Sequence, residues 1–384
     1  MKLNSYDEWS PLKEIIVGSA ANYTSHDREL SFDLFFHDNL QSKSEWYYPR
    51  LTSASDRNRE GTPRVRTTHK IKDRYLDELN EDVEGLAESL RSLGVVVHRP
   101  MELHSSTSEV TTLAWSSAVV PPLNLRDIAL VVGDEVIETP PMLRSRYFET
   151  QFLKPVLQSY FDGGSRWTVM PRPLMTDRSF DPSYALSSAG GPMEPIFEAK
   201  PHLYDVGLEM MWDGAQCLRL GRDLIVNIST DNHATACDWL ERHLDGRFRV
   251  HRVYKLSDSH IDSKLLALAP GRLLVRSRDV VDYLPASMKN WELIVAPDPI
   301  ENNFPKYEDD DLILTSLYID LNVLSLAPDT VVVNEACPEL IRVLEARHFQ
   351  VVPIRHRHRR LFGGGFHCFT LDTVRAGGPE TYLD

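Results

Sequence analysis

The stretch "LLALAPGRLLVRS" (residues 265–277) reads as two short β-strands folded about Ala-Pro-Gly. It returns as "VLSLAPDTVVVNE" (323–335), with Ala-Pro-Asp at the turn. Each hairpin is followed by a helix-like stretch that runs into one more β-rich segment: "ASMKNWELIVAP" (286–297) after the first, "ELIRVLEARHFQVVPI" (339–354) after the second. That second half also occurs as "LAESLRSLGVVVHRP" (86–100), "PVLQSYFDGGSRWTVMPRP" (155–173) and "CDWLERHLDGRFRVHRV" (237–253). Strands precede these copies too. "RDIALVVGDEVIET" (126–139) reads as two strands about a Gly-Asp turn, and "LGRDLIVNIS" (220–229) and "LKEIIVGS" (12–19) supply the others. The repeating unit is therefore strand or strands, helix, strand. It recurs five times at an irregular spacing of roughly 45 to 80 residues.

Strands alternating with helices suggest a doubly wound parallel sheet. No Gly-x-Gly-x-x-Gly and no P-loop follows any of these strands, however. Five similar units instead imply an α/β fold built as a closed radial array, with short sheets around an axis, helices outside and the unit ends around a central pocket. Residues 23–73 fit no unit. They are rich in Ser, Asp, Arg and Asn around the apolar island "FDLFFHDNL" (32–40), the composition of a lid or an insertion.

Composition narrows the classes. Of 384 residues, 42% are hydrophobic and 26% charged, as in a soluble globular protein with a sizeable core. No apolar run approaches the ~18 residues of a membrane span, so no membrane partner is expected. The opening "MKLNSYDEWSPLKEIIVG" lacks the pattern of a signal or transit peptide, and a cytoplasmic location is expected. A net charge of −14 disfavours nucleic acid as a partner. The runs "RHRHRR" (355–360) and "EDDD" (308–311) read as solvated loop surface, the basic one a candidate for attracting an anion. Cys217, Cys237 and Cys337 lie in apolar contexts and read as reduced, buried thiols.

Cys368 differs, because "LFGGGFHCFT" (361–370) delivers it on a loop with three consecutive glycines. Such a loop lets backbone approach a ligand closely, and a cysteine there is a candidate nucleophile needing a base. Neighbouring His367 would point the other way if the loop is extended. "SDSHIDSK" (257–264) offers His260 and Asp262, though it also reads as a polar surface loop. Asp213 in "MMWDGAQ" sits in an apolar setting, where an acid can equally cap a turn. Asp127 in "NLRDIAL" can equally pair with Arg126. All four positions fall where a unit's strand begins or its loops meet the axis. A cysteine and histidine with surplus carboxylates suit a cationic substrate, since guanidinium presents a planar donor fork that carboxylates grip.

Taken together, these blocks resemble the arginine amidinotransferases, which include arginine:glycine amidinotransferase and the inosamine-phosphate amidinotransferases of bacterial natural-product pathways. The similar blocks are "SYDEWSPLKEIIVGSA" (5–20), "LRDIALVVGDEVIETPPMLRSRYFET" (125–150), "WDGAQCLRLGRDLIV" (212–226), "HIDSK" (260–264), and "GGGFHCFTLDTVRAGG" (363–378) with the terminal "YLD". The resemblance implies a single catalytic domain over residues 1–384, with the fold of the guanidine-modifying superfamily: a five-bladed, pseudo-symmetric α/β propeller of ββαβ repeats.

The implied roles are Cys368 as nucleophile, His260 as acid and base, Asp213 as its orienter, and Asp127 and Asp262 as guanidinium ligands. Ser316, in "LTSLYIDLNVL" (314–324), falls on a substrate-contacting segment. Two departures concern the ends of the substrates. Gln216 replaces an acid or amide, and Asp279 stands where vertebrate-type members carry a carboxylate-binding arginine, leaving Arg278 or Arg276 to substitute. The expected reaction moves the amidino group of L-arginine to a small primary amine through an amidino-cysteine and releases L-ornithine. The acceptor is expected to be a specialised amine of natural-product biosynthesis. No metal or organic cofactor is implied, and a homodimer is. The alternatives are an arginine deiminase-like hydrolase, an arginine:glycine amidinotransferase, and a non-catalytic binder on the same fold.

Overall fold

The computed structural model describes residues 2–36, 71–181, 199–308, 311 and 313–383. Beyond residue 36, most of the expected lid or insertion (residues 37–70) lies outside the described residues.

The repeat seen in the sequence is a repeat of sheets. Strand β1 (Leu12–Val17) is followed by helices α1 (Leu30–Phe35) and α2 (Asp73–Ser92) and by β2 (Val96–His98), which runs parallel to β1. A small hairpin, β3 (Glu109–Thr111) and β4 (Ser116–Ala118), intervenes. Next come the helical turn α3 (Leu125–Ile128), the hairpin β5 (Ala129–Val132) and β6 (Glu135–Glu138), helix α4 (Lys154–Asp162) and β7 (Arg166–Val169). The third unit is β8 (Cys217–Leu220), β9 (Asp223–Ile228), α5 (Asp231–Leu244) and β10 (Arg249–Tyr254). The fourth is β11 (Leu265–Ala269), β12 (Arg272–Val275) and β13 (Glu292–Val295). The fifth is β14 (Leu324–Ala327), β15 (Thr330–Asn334), α6 (Pro338–Glu345) and β16 (Gln350–Ile354), and β17 (Thr370–Arg375) ends the series.

Every three-stranded sheet has one plan: an antiparallel pair, a crossover, then a parallel third strand. Burial grades along it. The inner strands β5, β8 and β11 are buried throughout, whereas the outer strands β7, β10 and β13 are largely half-exposed. Five sheets with their inner strands gathered and their outer strands turned to solvent form a five-bladed α/β propeller. The first blade is completed from the far end of the chain, where β17 pairs antiparallel with β1.

Helix α2 shows why the crossovers sit outside. Its buried residues (Tyr75, Leu79, Val83, Leu86, Ala87, Leu90) recur at three and four residue intervals, giving one apolar stripe. The fourth blade departs from expectation. "ASMKNWEL" forms no α-helix, and the crossover is made of two 3₁₀ segments, Arg278–Tyr283 and Ala286–Met288. Pro285 lies between them and holds Leu284 extended, which interrupts a continuous helix.

Parts of both charged runs are built into the fold, although Arg355 and Glu308 stay exposed. His356, His358 and Arg359 are buried. Arg355 and Arg357 pair with Asp82 of α2, and Arg359 pairs with Asp320. Asp311 is buried against Lys72 and accepts a hydrogen bond from Tyr75 at 2.8 Å. The basic run thus fastens the first blade to the fifth, with its charges satisfied within the chain. Burying long arginine side chains is tolerable only with such partners.

At the centre lies a buried polar network. Arg219 of β8 contacts Glu8 (2.7 Å) and Asp372 of β17 (2.8 Å), Arg126 contacts Asp372 (2.7 Å), and Arg375 contacts Asp372 (2.6 Å). These charges come from the N-terminal arm and from blades one, two and three, so the network fixes how the inner strands sit.

Candidate active site

The loop after the fifth blade turns back to the centre before entering β17, and this places Cys368. Phe369 N–H donates to the Gly365 carbonyl (3.0 Å) and Thr370 N–H to the His367 carbonyl (3.3 Å), so residues 366–369 form a turn and not an extended segment. Asn322 organises that turn. Its Oδ1 accepts from the Cys368 N–H (2.9 Å) and the Gly365 N–H (3.2 Å), while its Nδ2 donates to Asp262 Oδ2 (3.0 Å).

The glycines serve this packing. A Cβ on Gly364 would lie 2.3 Å from Asn124 Oδ1, and one on Gly365 would lie 2.8 Å from Asn322. The close approach that the sequence suggested toward a ligand is therefore toward two asparagines of the protein itself.

Asp213 reaches the site by capping. It is the N-cap of the 3₁₀ turn Gly214–Gln216, its side chain accepting from the Gln216 backbone while Gln216 Oε1 accepts from the Asp213 N–H (3.0 Å). The two readings open in the sequence are both realised, because the same carboxylate also lies 2.9 Å from His260 Nε2. Gln216, the departure noted above, completes this capping box and donates to the Asn227 carbonyl (3.0 Å).

Asp127 sits on α3, where one helical step turns it away from Arg126. Arg126 points into the central network, and the partner of Asp127 is Arg146, at 2.6 Å. Arg146 is held in turn by Glu149 (2.5 Å) and the Asn124 carbonyl (2.8 Å). The other oxygen of Asp127, Oδ1, is buried without a hydrogen-bond partner and lies 3.8 Å from His260 Nδ1. A buried, unpartnered carboxylate oxygen is a costly arrangement that a donor-bearing ligand would relieve.

Cys368 Sγ lies 3.6 Å from Asp262 Oδ2, and His367 Nδ1 lies 2.7 Å from the same oxygen. His367 is buried and reaches back to Glu8 at 3.4 Å. Its place is beside Asp262, whose Oδ2 lies between it and the Cys368 thiol.

These groups surround one cavity of about 470 Å³. Asp127, His260, Asp262, Asn322 and Cys368 line it, as do Ser316, Arg276 and Tyr318. Arg276 lies 4.2 Å over the ring of Tyr318. Ser316 caps the 3₁₀ segment Leu317–Leu321, accepting from the Tyr318 N–H (3.3 Å). Arg278 is exposed and does not line the cavity, nor does Asp279, whose carboxylate accepts from Ser277. Sequence reasoning missed Asn322, Asn124, Arg146 and Glu149. All four lie inside stretches already quoted, Asn124 in "NLRDIAL", Arg146 and Glu149 in the 125–150 block and Asn322 in "LTSLYIDLNVL", but no local pattern marked them as site residues.

The electrostatics follow from burial and neighbours. Burial would push the His260 imidazole toward neutrality, but the carboxylates of Asp127, Asp213 and Asp262 outweigh it and raise His260 to about 9. Burial raises Asp127, only partly offset by His260 and Arg146. Burial opposes ionisation of Asp262 as well, yet the His367 hydrogen bond and the nearby histidines hold its carboxyl below the usual range. Burial, with the charges of Asp262 and Asp127, pushes the Cys368 thiol well above its ordinary value. These shifts favour a charged imidazole and a protonated thiol at neutral pH. Asp127, Asp213 and His260 also bring ligand atoms within 4.8 Å of one another, a spacing a metal ion could use, although Asp213 and His260 already employ it for their hydrogen bond. The other three cysteines are buried free thiols.

No family model matches the chain. Similar proteins nonetheless run its whole length. Inosamine-phosphate amidinotransferase 1 of Streptomyces glaucescens is 32% identical over 384 residues, covering 98% of both chains. L-arginine:L-lysine amidinotransferase of Pseudomonas savastanoi pv. phaseolicola is 31% identical, covering 99% of this chain and 96% of that one. Among solved structures, the inosamine-phosphate amidinotransferase of Streptomyces griseus superposes with a TM-score of 0.77 at 31% identity, over 100% of this chain and 99% of that one.

Proposed function

The chain belongs to the amidinotransferase family, and from that premise we propose that it takes the amidino group of L-arginine onto Cys368 and passes it to a primary amine. The observation that carries this reading is the unpartnered Oδ1 of Asp127, facing the same cavity as Asp262 and Cys368. Two buried carboxylates flanking a thiol match the planar fork of a guanidinium, whose central carbon then lies between them.

As the guanidinium binds, the Cys368 thiol gives its proton to solvent, and the cation stabilises the thiolate that burial otherwise disfavours; the sulfur takes a proton back once the products have left. Sulfur attacks the central carbon and forms a C–S bond. As the C–N bond to the arginine side chain breaks, His260, already protonated, gives its proton to the departing amine, and ornithine leaves. The amidino group remains on sulfur, with its charge between Asp127 and Asp262. His260, now neutral, takes a proton from the entering amine, whose nitrogen bonds to the amidino carbon. The C–S bond then breaks with its electron pair returning to sulfur. Asp213 holds the imidazole and stabilises its charged form. Arg276, stacked on Tyr318, faces the carboxylate of the donor in place of the exposed Arg278, and Ser316 borders the same end. The acceptor is a specialised amine of a natural-product pathway.

Arginine labelled at its guanidino carbon, incubated with a panel of primary amines, tests the reading. Label in a new guanidino compound, matched by unlabelled ornithine, supports it. Label only in urea or citrulline contradicts it.

A further inference from the structure

One face of His260 is covered by carbon. Phe35, at the end of α1, places its ring centroid 5.6 Å from that of the imidazole, edge-on at 61°. With Phe36, Leu143, Leu314 and Phe362 it makes the apolar wall of a cavity whose remaining lining is largely polar. Carboxylates face the two ring nitrogens, Asp213 at 2.9 Å and Asp127 at 3.8 Å. Its side chain retains 17% exposure.

Helix α1 is anchored where it begins. Glu29 caps it, accepting from the Ser31 and Phe32 N–H groups at 3.1 Å each, and is itself gripped by Arg144 Nη1 at 3.0 Å. Ser31 Oγ accepts from the Arg144 N–H at 3.0 Å. Phe32, Phe36, Leu143 and Leu314 pack as one cluster with Phe35 against it. Through Arg144 these bonds also tie the start of α1 to the Met175 carbonyl and Asp177. They hold an aromatic edge against the imidazole of His260.

We propose that Phe35 is a specificity-determining residue that keeps water from His260 while the amidino group is on Cys368. This rests on the transfer reading of the same site. If water reached His260, its oxygen would bond to the amidino carbon and the C–S bond would break with its electrons going to sulfur. Urea would leave, and of the two protons of water one would end on the thiol and one in solution. No other reactant is needed, so exclusion of water decides the product.

The test compares the parent, Phe35→Ala and Phe35→Leu given arginine with no acceptor, following Cys368 by mass and urea by assay. The parent should hold its adduct. Phe35→Ala should lose it about tenfold faster or more with urea equal to ornithine, and Phe35→Leu, which restores apolar bulk, should approach the parent. Equal adduct lifetimes in all three proteins overturn the proposal. So does a Phe35→Ala protein that forms no adduct, because the residue would then be building the site and not guarding it. A parent that forms no adduct contradicts the transfer reading itself, whatever Phe35 does.

Discussion

At the scale of single residues, the site works by setting protons in advance. In the proposed reaction protonated His260 is the acid of the first half-reaction, present below about 9 and lost as the pH rises through that value. Asp213 supports this with a hydrogen bond at 2.9 Å. Asp213→Asn should therefore move the alkaline limb of kcat/KM for arginine to lower pH and reduce kcat on the order of 100-fold. A pH–rate profile checks both, and an unmoved alkaline limb contradicts the role given to Asp213. Much at this scale was legible. Cys368, His260, Asp262, Asp213, Asp127 and Ser316 stand in recognisable blocks, and the structure brings all but Asp213 to the wall of one cavity, with Asp213 directly behind His260. Asn322 and Arg146 were not legible, because an amide that positions a loop and an arginine that pins a carboxylate act through partners distant in sequence: Asn322 serves Cys368 across 46 positions. Arg278 stands away from the cavity, against expectation, for a related reason. Counting along a chain does not reveal that the 3₁₀ segment beginning at Arg278 turns it to solvent while Arg276 stays on the cavity.

At the scale of elements, the nucleophile loop depends on missing side chains. Gly364 has no room for a methyl group, with Asn124 Oδ1 at 2.3 Å, the Phe369 ring at 2.7 Å and Cys368 Cβ at 3.0 Å from where it would stand. Gly364→Ala must push Cys368 out of line, and a displacement of about 1 Å costs on the order of 100-fold in rate. Gly85, inside α2, meets nothing within 4 Å. Gly85→Ala should leave activity unchanged and stabilise the protein by about 0.5–1 kcal/mol through its helix propensity and the unfolded chain. Kinetics and thermal melting of the two variants side by side check the contrast, and full activity in Gly364→Ala contradicts it. Two hairpins were readable from turn glycines, since Gly133 and Gly271 adopt positive φ between paired strands, whereas the turn at Gly221, which also has positive φ, was read as part of a strand. The crossover of the fourth blade was not. Its sequence has helical character, and the proline between its two 3₁₀ segments outweighs that.

At the scale of the whole molecule, the propeller is closed by its own ends. Pairing of β17 with β1 joins residues about 360 positions apart, and no local pattern announces such a partner. The closed centre also buries groups that stay neutral. Burial lowers His26 and His233 to about 3 and His356 to about 4. A histidine depressed in the folded state favours folding above its unfolded value near 6.5, and that contribution is lost as the pH falls toward the folded value. Melting temperature should therefore fall progressively between pH 6.5 and pH 4, and a flat profile over that window contradicts the buried, neutral assignment. No helix among the described residues is long and apolar enough to cross a membrane. The same intact chain offers the most direct test of the central claim, that arginine leaves its amidino group on Cys368. Mixed with arginine and no acceptor, the protein should release about one ornithine per site and gain the mass of one amidino group. Peptide mapping should place it on Cys368, and Cys368→Ala should show neither event. Continuous turnover of arginine by Cys368→Ala, or an amidino group on any other residue, would contradict the account.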